Sequence, residues 1–419
     1  MNKNPKSKIY ADNSATTKVR EEAIDLMLEV LENHYGNPSS IHSLGKKAKE
    51  YLENARYSIA KTINAKSEEI FFTSGGTESN NLAILGIANN LKNLEGKENH
   101  IISTKIEHPS VKESLEHLQS NGWKIDWLNV DKEGFINLEE LNSLTTPKTL
   151  LVSIIHANNE IGTIQDLKQI SKICKLNNVL FHTDAVQSFT KTPINVEDID
   201  LMSFSSHKIS GPKGVGGLFI KDKTKITQLL FGGAQENKIR PGTENLPGIA
   251  GFGKASELSN AEINIISSYL RKLQIQLMEH LAKLDNIMFT GPGLTRVKEN
   301  LLSEKYLYRI PGHVSICCKN IEGESLVLKA DLRGIALSSG SACKRAESES
   351  KIEPSHVLKA IKVSEEYIKG SLRIVLGKEN TSDEVIYISQ TINDIACFAS
   401  QSKEEQSDDK AIPNKFTIA

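Results

Sequence analysis

Between residues 68 and 221, short apolar runs alternate with segments of helical periodicity, and this alternation restricts the chain to few folds. The apolar runs cover residues 69–73, 101–103, 150–155, 179–181, 201–204 and 215–220. Helical patterns at 78–90 and 165–177 lie between them. Strands separated by helices of this length need crossover connections, which place them side by side in a mostly parallel sheet. The sequence therefore predicts an α/β fold.

The remaining chain suggests a second, smaller part. A helical pattern without Pro or Gly covers 260–283 and is long enough to bridge two domains, which the length of 419 residues also suggests. Beyond it, strand and helix patterns lead to a last helical stretch at 381–398. We expect a long loop at 291–311, where no period is visible, and disorder at 400–419, which is polar and charged.

Composition indicates where the protein works and which classes of partner it does not attract. The 51 Lys and Arg residues and 52 Asp and Glu residues leave a net charge of -1, so no global field attracts nucleic acid or membrane. Residues 1–8 do not resemble a signal peptide, and no run of about 18 apolar residues predicts a membrane span. Five scattered cysteines favour a reducing cytoplasm over a disulfide framework. Among them, Cys317 and Cys318 lie in a strand-like run and are expected to be structural.

The stretch 203–208 ends an apolar strand with two serines, His207 and Lys208. A lysine fixed at a strand end suits a Schiff base, since burial and nearby cations can leave its amine partly deprotonated. Hydroxyl groups beside it can bind an anion. Taken alone, such a lysine is more often a solvated surface charge.

Three other polar stretches follow predicted strands. At 73–78 a glycine turn opens a helix, and free N–H groups there suit a phosphate. At 182–187, Asp184 is either a partner for a protonated pyridine nitrogen or the cap of a helix. At 156–162 a polar cluster follows a buried-looking strand. Open parallel sheets bind ligands at the carboxyl ends of their strands, so these stretches and Lys208 predict one site.

These stretches, together with 10–17, 36–40, 240–245 and 372–374, resemble the cysteine desulfurases of the NifS/IscS type. Those enzymes are class V aminotransferase-like, fold-type I pyridoxal-phosphate enzymes. The most diagnostic stretch is Ser338-Ser339-Gly340-Ser341-Ala342-Cys343. The resemblance covers residues 9–398. It implies a large cofactor-binding domain at 16–262, with a mostly parallel sheet flanked by helices, and a smaller α/β domain formed by 1–15 and 263–399.

The resemblance also implies roles for individual residues. Lys208 forms the Schiff base with pyridoxal 5'-phosphate and later acts as acid and base. Asp184 pairs with the pyridine nitrogen, and Gln187 with the ring hydroxyl oxygen. His108 stacks on the ring and assists proton transfer, although a histidine after a strand is otherwise more often structural. No metal is implied.

Phosphate and substrate contacts follow from the same resemblance. The residues implied to hold the phosphate are Gly76, Thr77, Ser205 and His207. Family members are homodimers, in which the residue matching Thr243 reaches the phosphate of the partner subunit. The residues implied to bind the substrate are Asn37, Asn159 and Arg373, with Asn159 also touching the cofactor. A guanidinium group suits the bidentate contact that a carboxylate needs.

Cys343 lies among small residues, which suits a nucleophile that must move between substrate and acceptor. The resemblance implies that it attacks the sulfur of L-cysteine, leaving alanine and carrying a persulfide to an acceptor protein. That acceptor is an iron–sulfur scaffold or a thiolation factor. Two departures leave the acceptor open: about four extra, charged residues follow Cys343, and the tail does not resemble a scaffold-docking end.

Three alternatives remain at this point. A selenocysteine lyase or a small-substrate aminotransferase would share the fold, although an aminotransferase needs no thiol at Cys343. A non-catalytic cofactor-binding partner is the third. The intact set Lys208, Cys343, His108 and Arg373 argues against it, because a retired site would be free to lose these residues.

Overall fold

The computed structural model describes residues 8–92, 95, 97–302, 307–340 and 354–408, with only the backbone described at 300–302 and 397–408. The strands in these ranges are β1 Ile9–Tyr10, β2 Ile70–Thr73, β3 His100–Thr104, β4 Lys124–Leu128, β5 Leu151–Ser153, β6 Leu180–Asp184, β7 Leu201–Ser205, β8 Gly216–Ile220, β9 Ile287–Phe289, β10 His313–Cys318, β11 Ile335–Ala336 and β12 Ser371–Val375. The helices are α1 Glu21–Asn33, α2 Ser43–Thr62, α3 Gly76–Leu91, α4 Pro109–Ser120, α5 Leu138–Leu144, α6 Leu167–Leu176, α7 Leu246–Leu281, α8 Leu294–Leu302, α9 Gly323–Asp331, α10 His356–Ala360, α11 Glu365–Ile368 and α12 Ser382–Asp408.

The larger sheet has seven strands in the order β2-β8-β7-β6-β5-β3-β4. Strands β7, β6, β5, β3 and β4 run parallel, and β8 is antiparallel to both of its neighbours. Every residue of β3, β5 and β7 is buried, as a parallel sheet covered on both faces requires. One face packs against α2, α6 and α7, and the other against α3 and α4. The predicted α/β fold with a mostly parallel sheet is confirmed.

A second core lies around a three-stranded antiparallel sheet in the order β12-β10-β9. The N-terminal strand β1 joins this part of the molecule, because it pairs in parallel with β11 and Ala11 is buried in the second core. Helix α7 links the two cores: Leu246 and Phe252 pack in the first, and Leu277 and Leu281 in the second. The boundary expected at residue 262 therefore falls inside a continuous helix.

Helix α7 begins 14 residues before the predicted start at 260. Asn245 caps it by accepting a hydrogen bond from the Gly248 N–H at 3.3 Å. Glycines in its first turns hid the helical pattern, because glycine in a helix interior is unfavourable. They serve packing instead: a Cβ atom at Gly253 would lie 2.5 Å from Ala55 of α2. The glycine lets the two helices approach closely.

Two further expectations need correction. The predicted loop at 291–311 contains α8, which is held because Val297 packs in the second core and Arg296 pairs with Glu133 at 2.7 Å. Helix α12 runs to Asp408 and so covers part of the segment expected to be disordered from residue 400. The Gln, Lys and Glu residues there are good helix formers. Residues 409–419 lie outside the described ranges. Within those ranges no helix is long and apolar enough to cross a membrane.

Candidate active site

Lys208 lies directly after β7, in a short 3-10 helix formed by Ser206–Lys208. Its Nζ donates hydrogen bonds to the backbone carbonyl oxygens of Ser14 at 2.6 Å and Ala15 at 2.8 Å. The strand end and the N-terminal segment therefore hold the amine together. The sequence indicated 10–17 only as a stretch that resembles the cysteine desulfurases. In the structure, two of its carbonyl oxygens hold the Lys208 amine.

Ser14 connects further predicted site residues. Gln187 donates from Nε2 to the Ser14 carbonyl oxygen at 2.9 Å, and the Ser14 hydroxyl lies 3.1 Å from Gln187 Oε1. The same hydroxyl lies 3.2 Å from the carbonyl oxygen of Asn159. Three residues predicted from separate motifs, Lys208, Gln187 and Asn159, thus meet around one serine. No local pattern in the sequence singles out Ser14 for this role.

Asp184 ends β6 and is buried. Its Oδ1 accepts a hydrogen bond from the Val186 N–H at 2.9 Å, and its Oδ2 accepts one from Asn80 Nδ2 at 2.7 Å. No helix begins at Asp184 in the described chain, so the helix-cap alternative is wrong. A buried carboxylate with two fixed donors keeps lone pairs for a third, as the pyridine nitrogen would require.

His108 caps α4, because its Nδ1 accepts a hydrogen bond from the Ser110 N–H at 3.2 Å. The Ser110 hydroxyl also lies 2.8 Å from this nitrogen. Burial lowers the pKa of His108, the charges of Lys208 and His356 act in the same direction, and Asp184 opposes them. A neutral imidazole at physiological pH follows, which suits proton transfer.

Glu107, beside His108, is fully buried, and burial raises its pKa to about 8. Its Oε1 accepts hydrogen bonds from the Thr104 hydroxyl at 2.6 Å and the Ile155 N–H at 2.9 Å, while Oε2 has no partner among the described residues. In the folded protein this carboxyl therefore keeps its proton at neutral pH.

The Glu107 carboxyl should make stability depend on pH. The unfolded chain loses this proton near the ordinary pKa of 4.5, whereas the folded chain keeps it up to about 8. Stability therefore falls as the pH rises through this window, by on the order of 5 kcal/mol in total. We expect Glu107→Gln, which keeps both accepted hydrogen bonds, to remove this fall in urea unfolding between pH 5 and pH 8.5. Glu113→Gln, on the exposed face of α4, is the matched control; an unchanged pH slope in Glu107→Gln would contradict the prediction.

The residues predicted to hold a phosphate lie where an anion could bind. Gly76 opens α3, and a Cβ atom there would lie 2.6 Å from Val186, so only glycine leaves this space open. The Ser205 hydroxyl is buried without a partner among the described residues, so it has a hydrogen bond to offer to an anion. Thr77 follows in the first turn of α3, where backbone N–H groups favour negative charge. An unpaired buried hydroxyl beside a helix start is what a phosphate group needs.

His207 and Thr243 lie at the edges of this cradle. His207 Nδ1 lies 3.2 Å from the Thr16 hydroxyl, and burial, helped by nearby lysines, lowers the His207 pKa to about 4. Thr243 is exposed, as a residue serving a partner subunit would be. The segment before it is anchored by Glu236, whose buried carboxylate pairs with Arg56 at 2.7 Å.

Arg373 of β12 reaches the site from the second core. It donates to the Asn159 carbonyl oxygen at 3.0 Å and pairs with Asp12 at 3.1 Å, and its Nε is buried without a partner among the described residues. His313 Nε2 also lies 3.3 Å from the Asn159 carbonyl oxygen. Asn37 is different: its side chain accepts from the Ser39 N–H, and no hydrogen bond in the described chain joins it to the other site residues.

Cys343 lies outside the described residues, as does the whole of 341–353. The stretch that leads to it is anchored beside Arg373, because Ser338 exchanges two backbone hydrogen bonds with Arg373, at 2.7 and 3.3 Å. Gly340 donates its N–H to the Ser371 hydroxyl at 3.0 Å. The described part of the diagnostic motif therefore adjoins the residue expected to hold the substrate carboxylate.

A model of the aminotransferase class-V family matches residues 9–388. The chain is 45% identical over 389 residues to the cysteine desulfurase IscS of Methanosarcina thermophila, with 92% of this chain and 91% of that protein covered. A solved structure of a NifS-like protein superimposes with a TM-score of 0.83 at 36% identity, covering 93% of this chain and all of that one. A solved structure of SspA in complex with cysteine gives a TM-score of 0.73 at 31% identity, covering 90% and 100%. The chain belongs to the aminotransferase class-V family and, within it, to the cysteine desulfurases of the NifS/IscS type.

Proposed function

We propose that this protein converts L-cysteine to L-alanine with pyridoxal 5'-phosphate on Lys208 and passes the sulfur through a persulfide on Cys343. One observation carries the proposal: Lys208, Asp184, Gln187 and His108 converge at the carboxyl edge of a parallel sheet, beside an unpaired buried hydroxyl. The chain shares 45% of its residues with a cysteine desulfurase, and the related SspA structure contains cysteine.

Four residues have separate roles in the reaction at the substrate α-carbon. Bound pyridoxal phosphate supplies an electron sink for the electron pair left when the substrate loses its α-proton. The Lys208 amine, held by two backbone carbonyls, takes that proton and returns one. Asp184 holds the cofactor nitrogen, and Gln187 holds the ring hydroxyl oxygen. His108, neutral because it is buried, can exchange a proton near the reacting carbon.

Substrate orientation falls to Arg373 and Asn159. A guanidinium group binds a carboxylate in a bidentate manner, and the free Nε of Arg373 leaves a donor for it. Because Arg373 also fixes the Asn159 carbonyl oxygen, the two substrate contacts keep a constant separation.

The sulfur step needs a thiolate. In it the Cys343 sulfur attacks the substrate sulfur: a sulfur–sulfur bond forms, the carbon–sulfur bond breaks, and its electron pair passes to the carbon side, which then takes a proton to give alanine. The three cysteines with described side chains, Cys174, Cys317 and Cys318, are buried, and burial raises the pKa of each to about 12. Raised pKa values and burial make these three thiols poor nucleophiles near neutral pH.

The test measures the cofactor and both products in one sample. We expect the purified protein to show the visible absorbance band of bound pyridoxal phosphate, and alanine and sulfide to appear together after L-cysteine and a reductant are added. A bound cofactor without sulfide would contradict the desulfurase proposal and favour an aminotransferase. Release of selenide from selenocysteine, together with no release of sulfide from cysteine, would favour a selenocysteine lyase.

We further propose a homodimer. Leu28, Leu31 and Tyr35 are 49%, 55% and 73% exposed, and they lie on one side of α1 and just after its end. Ile41 and Phe231 are 90% and 84% exposed. Apolar side chains exposed to this extent are typical of an interface, and an interface would also bring Thr243 to a partner's phosphate site.

The dimer gives a direct prediction. We expect the native mass to be roughly twice the chain mass of 46.3 kDa. Leu31→Glu places a charge in the interface, so it should yield monomers and weaken cofactor binding, since Thr243 could no longer reach the partner. Light scattering and a cofactor titration measure both effects. Glu32→Gln, exposed on the same helix, is the control, and a dimer that persists in Leu31→Glu would exclude this surface.

The acceptor is proposed to be a protein, either an iron–sulfur scaffold or a thiolation factor, reached by thiol exchange from the persulfide. We also propose that the protein works in the cytoplasm, a reducing compartment, because the three described cysteines are free thiols. Incubating the sulfur-loaded protein with each acceptor class and following the loss of persulfide distinguishes the two.

A further inference from the structure

Asn80 of α3 is 1% exposed and connects two parts of the site that come from different elements. Its side-chain Nδ2 donates to Asp184 Oδ2 at 2.7 Å and to the Ser110 hydroxyl at 2.8 Å. An amide nitrogen has two hydrogens, so both donors are used. In the reverse amide orientation, the Asn80 oxygen would face the Asp184 carboxylate. A carboxylate has no hydrogen to donate, so no hydrogen bond would form.

This arrangement determines where the Ser110 hydrogen goes. Because the Ser110 hydroxyl oxygen accepts from Asn80, its own hydrogen is free for His108 Nδ1, 2.8 Å away. The Ser110 N–H points to the same nitrogen at 3.2 Å. His108 Nδ1 is therefore an acceptor, and the neutral ring carries its hydrogen on Nε2. Burial lowers the pKa of His108, and the charges of Lys208 and His356 act in the same direction, against the charge of Asp184. The lowered pKa agrees with a neutral ring.

The same contacts have a cost. Asn80 Oδ1 is buried without a partner among the described residues, although an unsatisfied buried oxygen is unfavourable. A leucine of similar size would avoid that cost. The asparagine is thus better explained by what its nitrogen donates than by packing.

We propose that Asn80 and Ser110 are positioning residues of this active site. Asn80 orients the Asp184 carboxylate towards the cofactor nitrogen, and Ser110 fixes the hydrogen of His108 on Nε2. The carboxylate at the ring nitrogen and the imidazole N–H near the reacting carbon are then held by one hydrogen-bonded chain. The inference rests on the proposed function for its catalytic consequence, whereas the orientation of Asp184 and His108 is testable without turnover.

The first test uses Asn80→Leu. Losing one hydrogen bond to a charged group should move the pH at which the absorbance of the bound cofactor changes by about one unit and lower kcat about tenfold. KM for cysteine should change less than twofold, since Asn80 does not touch the substrate. Asn89→Leu, on an exposed turn of the same helix, is the matched control. Asn80→Ser, too short to reach both partners, should behave like Asn80→Leu if the leucine variant folds poorly.

The second test reads the tautomer directly, in the full chain without cofactor. Nitrogen NMR of the histidine-labelled protein should show His108 with its hydrogen on Nε2, and Ser110→Ala should give a mixture of the two forms. A hydrogen on Nδ1 in the wild type, or an unchanged tautomer in Ser110→Ala, would overturn the role of Ser110. An unchanged absorbance titration in both Asn80 variants would overturn the role of Asn80. If the wild type binds cofactor but produces no alanine or sulfide, the proposed function fails, whereas the absorbance titration and the NMR measurement still test this inference.

Discussion

Lys208→Ala should lower cysteine turnover by about a thousandfold or more, since it removes both the proposed attachment point of the cofactor and the group proposed to move the α-proton. The rest of the cradle remains: Gly76, Ser205 and Asp184 do not depend on the amine, so the cofactor should still bind, but without a bond to the protein. The two effects separate in one experiment, because borohydride reduction fixes the cofactor on Lys208 of the wild type and leaves the variant unlabelled in the mass spectrum.

The control for Lys208→Ala is Lys172→Ala, an exposed lysine of α6. This variant loses a charge of the same kind on the exposed side of a helix, and we expect unchanged turnover and unchanged borohydride labelling. Labelling of another lysine in place of Lys208 would refute the assignment. So would turnover in Lys208→Ala within tenfold of the wild type.

Cys343→Ala should have the second large effect, and of a different kind. Cofactor binding and the absorbance of the bound cofactor should stay as in the wild type, because Cys343 is not among the residues proposed to hold the cofactor. Alanine and sulfide should fall by at least about a hundredfold, as loss of a covalent nucleophile predicts. The peptide that contains residue 343 should no longer gain the mass of one sulfur atom after incubation with cysteine.

Cys174→Ala is the matched control for the thiol. Cys174 is 2% exposed and belongs to the first core, where burial raises its pKa to about 12. Its replacement should reduce stability slightly and leave the sulfur-loaded peptide at 343 unchanged. Retained turnover in Cys343→Ala would sink the assignment of the nucleophile, whichever control is used.

The sheet and the place of the site were accessible from sequence because both depend on local patterns. Apolar runs bounded by turns specify buried strands, and polar clusters directly after them mark the carboxyl edge. The contacts that orient the site were not accessible. Asn80 meets Asp184 across 104 positions of sequence, and Ser14 meets Lys208 across 194. An asparagine or serine with no distinctive neighbours carries no signal of such a partner.

The errors in predicting α7 and α8 have local causes as well. Glycines that help α7 pack against α2 weakened its pattern, and α8 has only nine residues, too few for its apolar positions 294, 297 and 301 to establish a period. In both cases tertiary packing outweighs intrinsic propensity. Burial also explains what composition could not: the raised pKa of Glu107 and the lowered pKa of His207 depend on neighbours brought together by the fold.

The pairing of β1 with β11 has a consequence for biosynthesis. Ile9 leaves the ribosome early, yet its partner Ile335 is made much later, a delay on the order of tens of seconds at usual rates of translation. Until then β1 has no strand to pair with, and the N-terminal segment is held only by later contacts such as those of Ser14 with Gln187 and Lys208. A chain that terminates before residue 335 would therefore carry an N-terminal strand without its partner, and the segment whose carbonyl oxygens accept from Lys208 would be held at one end only.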